Sequence, residues 1–267
     1  MKALVIGMGV GVHHAKAYQE EGLDVIVCDK DPEKIEGYEE GTTDYKSALR
    51  DADVVSVCTD DETHFQIASE ALQMGKYVVI EKPPCLEVDE AAFLKKYDDH
   101  LYCNLPLPYH FSYLDVVAPY LIEIEYNWGR HQKFSQGWRA NGYDIVMGAG
   151  LHVVDLLLYF KPRGWVDAAF FGANTSQING KYDNVQALFQ NSDGTIARIS
   201  VNCGFNGQHN HRVALYARDN NRIVINDAEV DKTPGIRDFV QKITSGEKIE
   251  NPRLWDAMSL CFQMRDA

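Results

Sequence analysis

The sequence predicts an α/β domain built on a parallel sheet, followed by an α+β domain with an open, mainly antiparallel sheet. Three observations carry this expectation. Residues 1–104 alternate short apolar runs with stretches of helical spacing, the rhythm of strands joined by crossover helices. In residues 105–267, apolar and polar residues alternate along several short runs such as VQALFQ and TIARISVN, the period of a sheet buried on one face. Between the first apolar run and the first helical stretch lies Gly7-Met8-Gly9-Val10-Gly11, the kind of loop that lets backbone approach a phosphate.

The elements follow in order. Ala3 to Ile6 is a strand, about Val12 to Glu21 a helix, and Asp24 to Cys28 a second strand ending at Asp29. Val54 to Cys58 is an apolar strand that turns at Thr59, Asp60 and Asp61 into a helix. Thr63 to Gln66 has the form of a capping box at that helix start, and Gly75 sits where its C-terminus is expected. Tyr77 to Ile80 is the next strand and stops at Glu81-Lys82-Pro83. In the second half, strands are predicted at Leu121 to Trp128, Val166 to Gly172, Val185 to Gln190, Thr195 to Asn202, Arg212 to Ala217 and Arg222 to Ile225. Leu151 to Phe160 is a strongly apolar helix ended by Pro162, and helices at about Ile236 to Thr244 and Pro252 to Met264 close the chain.

Composition narrows the function classes. The chain has 267 residues, 45% hydrophobic and 24% charged, which suits two packed globular domains. Its formal net charge is -13 and no stretch concentrates Lys or Arg, so a nucleic-acid partner is not expected. No apolar run approaches the roughly 20 residues that cross a bilayer. The amino terminus enters a strand at once without signal-peptide architecture, and the six cysteines show no CxxC spacing. The expectation is a cytoplasmic protein with reduced cysteines and no metal centre. His13-His14 and His209-Asn210-His211 are read as surface or loop histidines, since no carboxylate or cysteine partners stand at ligand spacing.

The glycine loop gains meaning from its context. A pyrophosphate would lie against Gly7, Gly9, Val10 and Gly11 at the helix N-terminus. Asp29 lies 22 residues after Gly7, where an acidic side chain can bond both ribose hydroxyls of adenosine. A 2'-phosphate would meet its carboxylate, which argues for NAD over NADP. The spacing departs from strict GxGxxG: position 12 is Val12, and Gly11 arrives one residue early. Lys82 falls at the carboxyl end of a parallel strand, where ligands bind in open sheets.

Taken together, several segments resemble the glucose-fructose oxidoreductase and inositol dehydrogenase family. They are the glycine loop, Cys58-Thr59, His64, the Ala71-Leu72 and Gly75-Lys76 pairs, Glu81-Lys82-Pro83, Glu90-Ala91 to Asn104, Trp138-Arg139 and Gly148 to Asp155. The resemblance implies a Rossmann-type dinucleotide-binding domain over 1–104 and a substrate-binding and oligomerisation domain over 105–267. It implies hydride transfer between nicotinamide and a carbinol or carbonyl carbon of a sugar, sugar nucleotide or cyclitol, and a homo-oligomer formed through the second-domain sheet. Thr59, His64, Glu81 and Lys82 join the glycines and Asp29 as cofactor-binding candidates. Lys82 and His152 are the catalytic candidates, and with Asn104, Trp138 and Arg139 they form the candidate substrate set. A lysine can hold the alcohol oxygen and a histidine can take its proton.

Two departures keep alternatives open. Relatives commonly carry an aspartate four residues before this histidine, where this chain has Gly148, and Pro106-Leu107-Pro108 follows Asn104 where many carry an arginine. A non-catalytic dinucleotide-binding sensor or regulatory homologue, and a reductase of a non-carbohydrate small molecule, therefore stand beside the dehydrogenase. His64 is balanced between a local helix-start contact and a cofactor-side role.

Overall fold

A computed structural model describes residues 1–114, 119–129, 143–174, 182–204, 207–217, 222–227 and 230–267. The chain forms two compact units, Met1–Pro106 with Asp231–Trp255, and Leu107–Val230 with Asp256–Ala267. The first unit differs from a simple 1–104 division by taking up Asp231–Trp255, a segment remote in sequence.

The first unit begins with β1 (Lys2–Ile6), α1 (Gly11–Glu20), β2 (Asp24–Cys28), β3 (Glu40–Thr42), α2 (Tyr45–Ala48) and β4 (Val54–Val57). It continues through α3 (Asp61–Gln73), β5 (Tyr77–Ile80), α4 (Val88–Leu94) and β6 (Leu101–Cys103). The strands form one parallel sheet in the order β3-β2-β1-β4-β5-β6. Strand order reverses between β1 and β4, which makes the carboxyl ends of those two strands the crevice where ligands of such sheets sit. All four residues of β4 are buried, as expected of a central strand covered on both faces.

The capping box expected at Thr63 to Gln66 is not formed. The helix starts earlier, at Asp61, and Thr63 lies in its first turn, where its hydroxyl donates to the Asp60 carbonyl and shares a hydrogen bond with Thr59 Oγ1. Asp61 and Glu62 favour the earlier start by placing negative charge at the helix N-terminus. A true capping box opens α4, where the side chains of Glu87 and Glu90 accept each other's backbone amides.

The returning segment carries α7 (Pro234–Ser245), and its predicted range of about Ile236 to Thr244 lies inside that helix. Ile236, Phe239 and Val240 join the core formed by β1 and α1, and Phe239 meets Tyr77 and Tyr102 edge-on and tilted. Burying such a side chain stabilises by about 1.5–3 kcal/mol. Asn251 covers edge strand β6: its Oδ1 accepts the Cys103 amide at 3.2 Å and its Nδ2 donates to the Leu101 carbonyl at 2.6 Å. These bonds occupy backbone groups that an open edge would leave exposed.

The second unit contains α5 (Leu107–His110), β7 (Pro119–Asn127), α6 (Leu151–Phe160), β8 (Trp165–Ala173), β9 (Asn184–Asn191), β10 (Ile196–Asn202), β11 (Asn210–Ala217) and β12 (Arg222–Asp227). Its sheet runs β12-β11-β7-β10-β9-β8, antiparallel except for the β7–β10 pair. Ile122, Ile124, Val185, Phe189, Ile199, Val201, Val213 and Leu215 are buried on one face, and α6 packs against β7 and β10. The alternation seen in VQALFQ is this burial pattern: Val185, Ala187 and Phe189 point in, Gln186 and Leu188 out. Helix α8 (Leu254–Asp266) ends the chain.

Candidate active site

Gly7 follows β1 with φ +91°, a conformation that side chains disfavour, and a Cβ there would lie 2.5 Å from the Cys58 carbonyl oxygen beyond β4. The two central strand ends therefore approach as closely as backbone allows. Gly9 is open, with nothing within 4 Å of where its Cβ would be. At Gly11, a Cβ would meet Val5 Cγ1 at 2.9 Å, so the glycine that arrives one residue early lets α1 pack tightly on the sheet. The first amides of α1 have no side-chain cap, as its N-cap residue is Val10. An open glycine at a helix N-terminus with uncapped amides fits a pyrophosphate.

Asp29 stands at the end of β2, 6% exposed. One carboxylate oxygen accepts the Met8 amide at 2.7 Å and the other accepts the Asp31 amide at 3.0 Å. Burial opposes its ionisation, but these amides and Lys34, whose ammonium is 3.6 Å away, overcome that and lower its pKa. A fixed carboxylate with spare lone pairs fits the ribose of an adenosine. The chain's residues thus suit a dinucleotide, whose chemistry is to carry hydride at the nicotinamide.

Around Lys82 the polypeptide is tied down on both sides. His64 is buried in α3, with Nδ1 2.7 Å from the Pro83 carbonyl and Nε2 3.0 Å from the Thr59 carbonyl. It therefore bridges the segments after β4 and β5. The Lys82–Pro83 peptide is cis. On the other side, Glu81 Oε1 lies 3.0 Å from His14 Nε2 and accepts from Asn104 Nδ2 at 2.8 Å. Burial opposes ionisation of Glu81, yet the hydrogen bond and attraction from His14, the Asn104 amide and the ammonium of Lys82 bring its pKa to about 2. The resulting stabilisation is present above the ordinary glutamate value of about 4.3 and lost as pH falls towards 2. Asn104 is 1% exposed, and its amide also donates to the Lys232 carbonyl at 3.2 Å.

In the second unit, a π-helical turn at Val146–Gly150 runs directly into α6. The Asp144 carboxylate accepts the amides of Val146 and Met147 at 2.9 and 3.1 Å, which anchors the start of this helix. His152 sits in the first turn of α6, 8% exposed, with its ring stacked on Tyr126 at 6.0 Å. Gly148 is buried, and a Cβ on it would fall 1.7 Å from the Tyr143 hydroxyl oxygen. Tyr143 thus fills the space that a side chain at 148 would need. Trp138 and Arg139 lie outside the described residues.

The structure brings Gly7, Gly9, Gly11, Asp29, Thr59, His64, Glu81, Lys82 and Asn104 together on the first unit, whereas His152 belongs to the second. It corrects the reading of His14 and His211 as surface or loop residues: His14 is 0% exposed and His211, on β11, is 8% exposed. His14 belongs to the inner stripe Gly11, His14, Ala15 and Tyr18, a spacing that the sequence displays. Among the described residues, no group of three or more His, Cys, Asp or Glu could hold a metal ion, and no helix is long and apolar enough to cross a membrane.

Comparison with known proteins agrees with this geometry. A model of an oxidoreductase family with an NAD-binding Rossmann fold matches residues 1–102. The UDP-N-acetylglucosamine 3-dehydrogenase of Acidithiobacillus ferrooxidans is 25% identical over 211 residues, 75% of this chain and 66% of that protein, just under two thirds of its length. A solved structure of UDP-N-acetylglucosamine 3-dehydrogenase from that organism has a TM-score of 0.78 at 22% identity, covering 100% of this chain and 97% of the other. A myo-inositol 2-dehydrogenase from Lactobacillus plantarum gives 0.82 at 18% identity with coverage of 100% and 97%. A scyllo-inositol dehydrogenase from Lactobacillus casei, solved with NAD(H) and scyllo-inositol, gives 0.81 at 15% identity with coverage of 100% and 96%. The match to an NAD-binding oxidoreductase family over residues 1–102, together with these structural likenesses, gives the first part of the chain the NAD-binding Rossmann fold and the whole chain the fold of these dehydrogenases.

Proposed function

We propose that the protein is a cytoplasmic NAD-dependent dehydrogenase that transfers hydride between nicotinamide and a carbinol or carbonyl carbon of a sugar, sugar nucleotide or cyclitol. The observation that carries this reading is Lys82, held between Glu81 and the His64-bound Pro83 at the carboxyl end of β5, beside the strand-order reversal. In oxidation, Lys82 holds the substrate oxygen and stabilises developing alkoxide, while His152 takes the hydroxyl proton. Gly7, Gly9, Val10 and Gly11 hold the pyrophosphate, Asp29 the adenosine ribose, and Thr59, His64 and Glu81 shape the cofactor side. Asn104 and, outside the described residues, Trp138 and Arg139 are the candidates for binding a polyhydroxylated substrate. The test is NADH formation over a panel holding UDP-N-acetylglucosamine, myo-inositol and scyllo-inositol, chosen from the relatives' substrates. Turnover of at least one supports the reading, and NADH binding without turnover of any panel member counts against it.

Asp29 sets the preference for NAD. Hydrogen bonds to a charged acceptor contribute about 1.5–3 kcal/mol, so NADH is expected to bind at least about tenfold tighter than NADPH. In Asp29→Ser that ratio is expected to fall to about one, read by fluorescence titration. An unchanged ratio would place nucleotide selection elsewhere.

One observation favours the non-catalytic alternative. The space beside Gly148 is filled by Tyr143, so no carboxylate can stand one turn before His152. The same substrate panel decides between the two.

The outer face of the second sheet fits a homo-oligomer interface. Phe171, Leu188, Ile196 and Val224 are exposed there at 65, 46, 38 and 37%. Between them Glu123 and Glu125 are neutralised by Arg198 and Arg212, so little net charge resists association. Sedimentation velocity is expected to show an oligomer that Leu188→Asp dissociates to monomers; an unaltered distribution would exclude this face.

A further inference from the structure

Behind Lys82 lies a buried hydrogen-bonded chain that the proposed reaction does not itself require. Tyr18 and His14 project from the inner stripe of α1, and Ser56 interrupts the apolar run of β4 with 0% exposure. Tyr18 OH is 2.6 Å from Ser56 Oγ, and Ser56 Oγ is 3.0 Å from His14 Nδ1. His14 Nε2 then reaches Glu81 Oε1 at 3.0 Å, and Asn104 Nδ2 donates to the same oxygen.

The direction of this chain follows from satisfying every buried donor. Burial keeps the Tyr18 phenol protonated, and Ser56 is its hydrogen-bond partner among the described residues. Tyr18 therefore donates to Ser56, whose hydroxyl also lies against His14 Nδ1. Glu81 as a carboxylate can only accept, so His14 carries a proton on Nε2, facing it. His14 thus reaches Glu81 as a hydrogen-bond donor, and the adjacent Lys82 adds a positive charge that favours the carboxylate. The other charged or titratable groups near the pair are His13 on α1, Lys232 and Asp231 on the returning segment, and Cys58 after β4, whose thiol is pushed up by burial and by Glu81.

We propose that His14 is a positioning residue that acts through Glu81: with Asn104 it holds Glu81 as a carboxylate behind Lys82, which keeps Lys82 an ammonium that donates to the substrate oxygen. This rests on Lys82 being the group that holds that oxygen, but its test needs no turnover. Lys82 is labelled competitively with 1-fluoro-2,4-dinitrobenzene across pH in the full chain, and the midpoint is read by mass spectrometry. Glu81→Gln and His14→Phe are each expected to lower the midpoint by about one unit. His14→Gln, whose amide can donate to Glu81 and accept from Ser56, is expected to return it to the wild-type value. Glu81→Gln is isosteric and decides the matter alone if His14→Phe does not fold. A midpoint unchanged in Glu81→Gln, or equal in His14→Phe and His14→Gln, would overturn the proposal. Inactivity towards every sugar nucleotide and cyclitol would sink the dehydrogenase reading and leave these midpoints to decide the role of His14.

Discussion

Lys82→Ala is expected to lower kcat/KM about a thousandfold while NADH affinity stays within about threefold of wild type. The magnitude follows from what the side chain supplies. As hydride departs from a secondary alcohol, negative charge develops on its oxygen, and a preorganised donor in a dry site is worth about 2.7–4 kcal/mol to that transition state. Nothing in the glycine loop or at Asp29 depends on Lys82, since Gly7 is set by its contact with Cys58 and Asp29 by the amides of Met8 and Asp31. Steady-state kinetics together with a fluorescence titration of NADH separate the two quantities. Loss of NADH binding in step with activity would instead make Lys82 a cofactor ligand.

Gly148→Asp is expected to destabilise the second unit by at least about 3 kcal/mol, so restoring the family aspartate would not restore a family site. A Cβ at 148 would lie 1.7 Å from the Tyr143 hydroxyl oxygen and 2.2 Å from its Cζ, inside a buried helical turn. Tyr143 is itself 4% exposed and packs edge-on against Trp128, so it has little room to withdraw. The carboxylate adds desolvation to overpacking. Gly148→Ala isolates the steric part, about 1–3 kcal/mol, and adding Tyr143→Leu, which removes the clashing atoms, is expected to recover most of it. Thermal unfolding measures all three. If Gly148→Ala unfolds at the wild-type temperature, Tyr143 is not what keeps position 148 a glycine.

Much of this architecture could be read from the sequence because its signals are local. The run Tyr77 to Ile80 is β5, LHVVDLLLYF is α6, and the alternation of VQALFQ became the two faces of β9. What escaped was set by tertiary contact. The return of Asp231–Trp255 to the first sheet depends on Phe239 fitting between Tyr77 and Tyr102, which no local pattern announces. Thr63 and Gln66 imitate a capping box, while Asp61 and Glu62 favour a first turn that begins three residues earlier, with Asp60 as the N-cap. His14 is buried and not a surface residue, in keeping with its stripe with Gly11 and Tyr18 and with the lone Ser56 in an apolar strand. Joining them needed the parallel order that sets α1 against β4 and brings the residue after β5 to His14. Likewise, Gly148 shows in sequence only as a missing aspartate, and the structure supplies Tyr143 as the reason.

The most direct test of the dehydrogenase reading is a crystal structure of the chain with NADH and a substrate oxygen in place. The account predicts Lys82 Nζ and the His152 imidazole both at hydrogen-bond reach, about 3 Å, from the oxygen on the carbon that faces nicotinamide C4. An occupied dinucleotide site on Gly7, Gly9, Gly11 and Asp29 with Lys82 and His152 on separate sides of the nicotinamide, or turned away from it, would contradict that account.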